Sequence, residues 1–313
     1  MHDISVVSEQ REKRGFCPGC FGCSVPCRLD TEVIMSYVMR KGDKGQEIQR
    51  LQRSLSITPD GDFGPKTEAA VKLYQTYNSL AVDGIAGPKT LGKMGIPVLM
   101  GIDVSAWNGK IDWAGVKAAG VEYAWVKVTE GRTHTNKPHK RNIDGCHSND
   151  IAVGGYHFGR PDTGIDSGIR KDAIAEAQHF LSKLEPLLQP GDLIPVLDVE
   201  AGMKTDDQHN VDWSLAWLEY VESEIGSKPM IYTARWAVNL YLAKASKSSL
   251  KELAEYPVWW ASYNEGVDPK RKPTKIWNSW DVWQWTSHGE VPGIKGRCDK
   301  NWMAGGTLDS LRI

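Results

Sequence analysis

The chain lacks a charge imbalance, long apolar runs and, over its first third, any tryptophan. Its 38 basic and 39 acidic residues leave a formal charge of −1, which removes the overall electrostatic case for nucleic acid or an anionic membrane as partner. No stretch approaches the roughly 20 apolar residues of a membrane span. The N-terminal MHDISVVSEQREKRGF has no apolar stretch of the signal-peptide kind. The expectation is a soluble monomer made in the cytoplasm. None of the eight histidines stands in HExxH or another clear zinc-ligand spacing, so the sequence offers little to a metallopeptidase reading. Cysteine is scarce at six residues, yet Cys17, Cys20, Cys23 and Cys27 crowd into one short run.

All 13 tryptophans lie at or after Trp107. That shift in composition marks a boundary near Ile96-Pro97, and 313 residues suffice for one large and one smaller domain, each with its own core. Three segments follow: a cysteine-rich stretch over 1–37, a small module over 38–96 and a large domain over 98–313.

Within the small module, DGDFGPKT (60–67) and DGIAGPKT (83–90) echo each other. Each places Asp-Gly in a turn and Gly-Pro at a helix start, where the missing proline N–H costs nothing. Ile48, Leu51 and Leu55 recur at helical spacing ahead of them, and Ala70, Leu73, Tyr74, Tyr77 and Leu80 mark one face of the next segment. The pattern predicts three helices. GDKGQEIQRLQRSL, DGDFGPKTEAAVKLYQ and DGIAGPKTL resemble the type 1 peptidoglycan-binding module, and the resemblance implies attachment to the cell wall without catalysis.

In the large domain, β-prone runs at 98–104, 121–128, 151–158, 193–200, 229–234, 257–263 and 281–286 alternate with amphipathic stretches such as 168–184 and 213–225. Such alternation predicts an α/β barrel or parallel sheet with helices outside, whose chemistry gathers at the carboxyl ends of the strands. Asp103 ends GIDVS, and Asp198 and Glu200 end VLDVE. Positions two apart on a strand share a face, so these two acids point together and Val199 points away. Acids clustered inward must pair, bind a cation or do proton chemistry. In proton chemistry one acid is held protonated beside an ionised partner, as cleavage of a glycosidic bond requires. A solvated loop or a magnesium or calcium site is the alternative for a lone DxE. Tyr156, Phe158, Tyr232, Trp259 and Trp285 near the same strand ends favour a sugar, because flat aromatic faces with a polar edge suit its rings.

GIDVSAWNGKIDW, AWVKVTEG, VGGYHFGRP, PVLDVE, KPMIYTARW, VWWASYN, WDVWQWTSHGEVPGI and CDKNWMAG resemble, in order, the family 25 glycoside hydrolases. These are lysozyme-type muramidases common among phage endolysins. The resemblance implies a flattened, incomplete β/α barrel of the TIM type, cutting the β-1,4 bond from N-acetylmuramic acid to N-acetylglucosamine. It implies Glu200 as general acid, Asp198 as the neighbour that orients substrate or stabilises the positive intermediate, and Asp103 and Asp299 as two further carboxylates of the groove. Glu130, Tyr156, Tyr232 and Trp285 match as substrate contacts, with barrel packing as the alternative for each. Cys298 stands before Asp299 where an aliphatic residue is expected, and a buried, inert thiol fits there. The implied partner is peptidoglycan, and hydrolysis needs no cofactor. The implied life history is that of an endolysin waiting in the host cytoplasm until the membrane is permeabilised. The alternative from another class is a non-catalytic wall-binding protein on the same fold.

CPGCFGCSVPC, residues 17–27, reads C-x2-C-x2-C-x3-C, and neither resemblance uses it. Its first three cysteines have the local spacing of a [4Fe–4S] cluster. The set also suits one structural zinc. Disulfides or free thiols are the third option, the former disfavoured in a reducing cytoplasm. Anaerobic purification followed by metal analysis and an absorption spectrum tests the ligand reading. Stoichiometric iron with visible absorption, or stoichiometric zinc, is expected, and a colourless, metal-free protein removes it.

Overall fold

Proline opens two of the first three helices in the computed structural model, which describes residues 39–44, 46–95, 99–161, 168–204, 206–263, 274–278, 280–303 and 308–313. The cysteine run 17–27 lies outside these residues. Helix α1 spans Gln46–Ser54, α2 spans Pro65–Tyr77 and α3 spans Pro88–Lys93. Gly64 and Gly87 hold extended backbone immediately before Pro65 and Pro88. Met39, Ile48, Leu51, Phe63, Val71, Ala86 and Leu91 form a small core of their own.

The echoed turns are clasped alike by buried glutamines. Gln52 Nε2 donates to Asp60 Oδ1 (2.6 Å), the Asp62 carbonyl (2.9 Å) and Thr67 Oγ1 (2.9 Å), while its Oε1 accepts from Gly61 N (2.8 Å). Gln75 Nε2 does the same for Asp83 Oδ1 (2.7 Å), the Ile85 carbonyl (2.8 Å) and Thr90 Oγ1 (3.1 Å), and its Oε1 accepts from Gly84 N (2.9 Å). These clasps rotate α2 away from its expected face. Thr67, Val71 and Gln75 face inward, whereas Leu73 and Tyr77 are 58% and 81% exposed. A polar side chain whose hydrogen bonds are all met can displace an apolar one from a small core.

The large domain begins with β1 (Met100–Val104) and α4 (Trp113–Ala118), followed by β2 (Val121–Glu130), a short arm β3 (His134–Thr135) and α5 (His139–His147). β4 (Ala152–Phe158), α6 (Ile169–Leu184), β5 (Val196–Asp198), α7 (Asp207–Ile225) and β6 (Met230–Ala234) continue the alternation. The chain then forms α8 (Arg235–Tyr241), α9 (Lys247–Leu253), β7 (Val258–Ala261), β8 (Val282–Gly289) and β9 (Cys298–Met303). The nine strands run β1-β9-β8-β7-β6-β5-β4-β2-β3, and β1 also pairs with β2. All but β3 therefore close into a barrel-like ring. Every pair in the ring is parallel except those of β9, which runs antiparallel to both β8 and β1. The ring is closed where an incomplete barrel is expected. Among the described residues no helix stands between β7 and β8 or between β8 and β9.

Strand alternation divides two cores. Ile102, Val104, Ala124, Val126, Leu197 and Val199 face outward onto the helices, where α7 adds Trp213, Trp217, Leu218 and Val221. Inside the ring, Tyr123 meets Trp125 edge-on (5.5 Å), Trp125 lies against Trp259 (5.0 Å), and Tyr232 meets Trp259 edge-on (4.9 Å). This aromatic column plugs the barrel and leaves a shallow mouth above it. Gly101 makes room for the column, since a Cβ there would lie 2.0 Å from the Tyr123 ring.

The two glutamine clasps give a direct test. Gln75→Ala leaves the Gly84 amide and the Thr90 hydroxyl without their buried partner, a cost of about 2–3 kcal/mol. Native-state hydrogen exchange is expected to show loss of protection at Gly84 in that variant and at Gly61 in Gln52→Ala. Unchanged exchange at both amides would show that the clasps are incidental.

Candidate active site

A cleft of about 250 Å³ opens at the mouth of the barrel, and Asp103, Asp198, Glu200, Asp299, Tyr156 and Tyr232 all line it. All but Glu200, which lies two residues past the end of β5, sit within strands and arrive by strand parity. Asp103 is the second inward residue of β1 after Gly101, and it sits opposite Asp299 of β9. Tyr156 follows Gly154 on the inner face of β4, paired with Val196, two residues before Asp198. Val199 points into the outer core, so Asp198 and Glu200 share the cleft side.

Asp103 is the acceptor end of a buried network. Gln284 Nε2 and Asn301 Nδ2 both donate to Asp103 Oδ2 at 2.9 Å. The Tyr232 and Tyr263 hydroxyls each donate to Gln284 Oε1 at 2.8 Å, and Trp259 Nε1 donates to Asn301 Oδ1 at 2.9 Å. The donors therefore run from the aromatic floor toward one carboxylate. Asp198 is held differently: its Oδ1 is buried and has no hydrogen-bond partner within the protein.

All four acids are pushed toward protonation. Burial, then the charge of Asp299, raises Asp103 well above the usual carboxylate range despite its two amide donors. Burial, then Glu200, does the same to Asp198, with Lys127 pulling the other way. Burial, then Asp299, raises Glu200 from its ordinary 4.5, again against Lys127 and Arg160. Burial pushes Asp299 up to about 6. Near neutral pH such a group holds protons on some members and charge on others, the division of labour that acid-assisted bond cleavage requires.

Two expected contacts sit elsewhere. Trp285 is on the outer side of β8, stacked on Trp302 at 5.5 Å and packed against the outer core. Strict alternation gives the inward place to its neighbour Gln284. Glu130 follows a register shift in β2 between Lys127 and Thr129, which resets the parity. Its Oε1 accepts from Arg160 Nη2 (2.7 Å) and its Oε2 from Lys127 Nζ (2.7 Å). Burial disfavours that charge, but the bonds from Lys127 and then Arg160 outweigh it and hold Glu130 below its ordinary value. Glu130 thus steadies the cleft cation Lys127 and does not itself line the cleft.

Several cleft residues carried no sequence signal of their own. Lys127 continues the inward run Tyr123, Trp125 and brings its Nζ within 4.5 Å of the Phe158 ring centre. Gln284 and Tyr263 belong to the network around Asp103. Trp107 stands on a short turn that is fixed by Asn108 Oδ1 accepting from Ser105 N (2.9 Å) and Asn136 Oδ1 accepting from Ala106 N (3.2 Å). It lines the cleft yet is 95% exposed, a flat apolar face at the rim where the other barrel tryptophans are mostly buried. Cys298 is buried on the outer side of β9. Burial, then Asp103 and Asp299, raises its thiol far above the ordinary value, so it stays protonated.

The chain resembles known proteins along both of its described parts. A model of the peptidoglycan binding domain matches residues 45–94. Lysozyme M1 of Streptomyces globisporus is 28% identical over 275 residues, covering 83% of this chain and 85% of that protein. The solved lysozyme of Streptomyces coelicolor superposes with a TM-score of 0.57 at 27% identity, over 68% of this chain and 94% of that one. The CTP1L endolysin superposes with a TM-score of 0.53 at 26% identity, over 66% of each chain. The family model for glycosyl hydrolases family 25 matches residues 102–294, and the chain belongs to that family, as a glycoside hydrolase of the lysozyme type.

Proposed function

We propose that this chain is a modular endolysin. Residues 38–96 bind peptidoglycan, and the barrel cleft hydrolyses the β-1,4 bond from N-acetylmuramic acid to N-acetylglucosamine, opening the wall of the bacterial host. The observation that carries this reading is the convergence of Asp103, Asp198, Glu200 and Asp299 on one cleft, all of them biased toward protonation by burial. The match of residues 45–94 to a peptidoglycan binding domain supports the first half. Similarity to the CTP1L endolysin supports the lytic role, with the enzyme held in the host cytoplasm until the membrane is breached.

Glu200 is the general acid. It is less buried than Asp198, which leaves its proton within reach of a polymer lying across the mouth. As the bond from the anomeric carbon to the leaving oxygen breaks, the Glu200 proton passes to that oxygen and positive charge grows on the sugar ring. Asp198 faces that charge with an oxygen that has no partner in the protein. Water then adds at the anomeric carbon and returns a proton to the carboxylate set. Trp107 at the rim is 95% exposed and gives a sugar ring a flat face to lie on. Asp299 sets the working range of the acid, because its negative charge is the largest contribution after burial to the raised Glu200 value.

Two variants test these roles. Glu200→Gln is expected to lower kcat on purified walls by about 100- to 10,000-fold, measured as new reducing sugar ends. Full activity in that variant would sink the assignment, and an inactive wild type would leave a wall-binding protein on the same fold. Asp299→Asn removes the charge that helps keep Glu200 protonated, so the alkaline limb of the kcat/KM profile is expected to move to lower pH. A limb that stays in place or moves up would show that Asp299 does not act on the acid through its charge.

A further inference from the structure

A second concavity lies away from the carboxylate cleft. A groove of about 900 Å³ lies between α8, α9 and residues 274–278, and among the described residues it shares no lining residue with the cleft. Arg235, Lys244, Lys247, Lys251 and Lys275 line it, and no Asp or Glu does among the described residues. The whole chain carries a formal charge of only −1, so this is a strong local concentration of one sign.

None of the five cations takes part in an ion pair among the described residues. Elsewhere the surface cations pair readily, as in Lys117–Glu122, Lys140–Asp144 and Arg170–Glu219, each at 2.8 Å. Gathering like charges around one concavity raises its potential and costs repulsion that an entering anion relieves. Val238, Leu250 and Ile276 supply an apolar floor, and Asn239, Asn278 and Thr274 add hydrogen-bonding groups. Among the described residues no aromatic side chain lines the groove, in contrast to the cleft with Trp107, Tyr232 and Trp259. Sites for sugar rings and nucleobases use flat aromatic faces for stacking, so the ligand that fits is anionic and lacks rings.

We infer that this groove is a binding site for a linear phosphodiester chain of the polyol-phosphate type, a polyanion attached to many bacterial walls. Phosphates pair with the lysines and Arg235, and the polyol carbons lie along the apolar floor with their hydroxyls on the asparagines. In a wall hydrolase such a site adds an anchor that is independent of both the glycan cleft and residues 38–96.

The test uses the full-length protein and purified poly(glycerol phosphate), with binding followed by calorimetry. Binding is expected to weaken steeply with added salt. The double variant Lys244→Glu, Lys251→Glu, both exposed, is expected to lower affinity at least about ten-fold while keeping the wild-type Tm and its rate on a soluble glycan. Glu200→Gln is expected to bind the polymer as the wild type does, which separates this site from the catalytic reading. Single-stranded DNA of equal charge is expected to bind at least about ten-fold more weakly, for want of stacking faces. The inference is overturned by no binding at about 50 mM salt, by unchanged affinity in the double variant, or by equally tight DNA binding. If the double variant misfolds, Lys275→Gln with Arg235→Gln repeats the measurement.

Discussion

Repulsion among four carboxylates at one barrel mouth is the constraint around which the large domain is built. Acids this close and this buried cannot all ionise together. Their charged forms are opposed by burial in every case, with a neighbouring acid as the second cause for Asp103, Asp198 and Glu200. The barrel answers with a few placed counterweights rather than with general polarity. Its interior is an aromatic column, its donors converge on Asp103, and Lys127 is the one lysine among the described residues that lines the cleft. Lys127 is in turn held by Glu130, which Arg160 also binds.

Asp103 and Asp198 show how environment separates chemically identical groups. Asp103 has two amide donors on a single oxygen and lies deep in a hydrogen-bonded lattice that fixes its position. Asp198 lies on a three-residue strand and keeps one oxygen without a protein partner. The first is committed to structure around the cleft. The second has unspent acceptor capacity, which has value only when something from outside the protein enters. Binding capacity of that kind is costly in the empty state and is the form in which an active site stores its selectivity for a charged transition state.

Much of this was legible from strand parity, and the failures are equally physical. Alternation placed Asp198 and Glu200 together and Val199 away, as the two cores bear out. The same rule, applied one residue earlier along β8, would have exchanged Trp285 for Gln284. An aromatic drew attention where an amide was the inward residue. Glu130 could not be placed by counting, because the register shift after Lys127 resets the period. Strand β9 was absent from the expected set because its inward positions, Asp299 and Asn301, are polar for the sake of the site, so it lacks the apolar signature of a strand. Lys127 was hidden for a related reason: a lone lysine in a strand reads as solvent-facing until its neighbours Tyr123 and Trp125 are known to point inward.

The small module repeats the same physics with amides instead of acids. Gln52 and Gln75 are buried because every group they carry is matched by a turn, and in consequence α2 shows Leu73 and Tyr77 to solvent. Hydrophobic periodicity predicts the wrong face there, since it scores side chains by polarity and ignores whether that polarity is satisfied. In the barrel, Gln284 and Asn301 are likewise buried amides that connect aromatic groups to a carboxylate. Both parts of the chain therefore set side-chain orientation through buried amide hubs. Such hubs are invisible to composition because the glutamine or asparagine is unremarkable alone. What betrays them in the sequence is spacing: glutamine eight residues before the aspartate of a DG turn, twice, at Gln52–Asp60 and Gln75–Asp83. A repeat in the polar partners, aligned with a repeat in the turns, is the signal that overrides the apolar pattern.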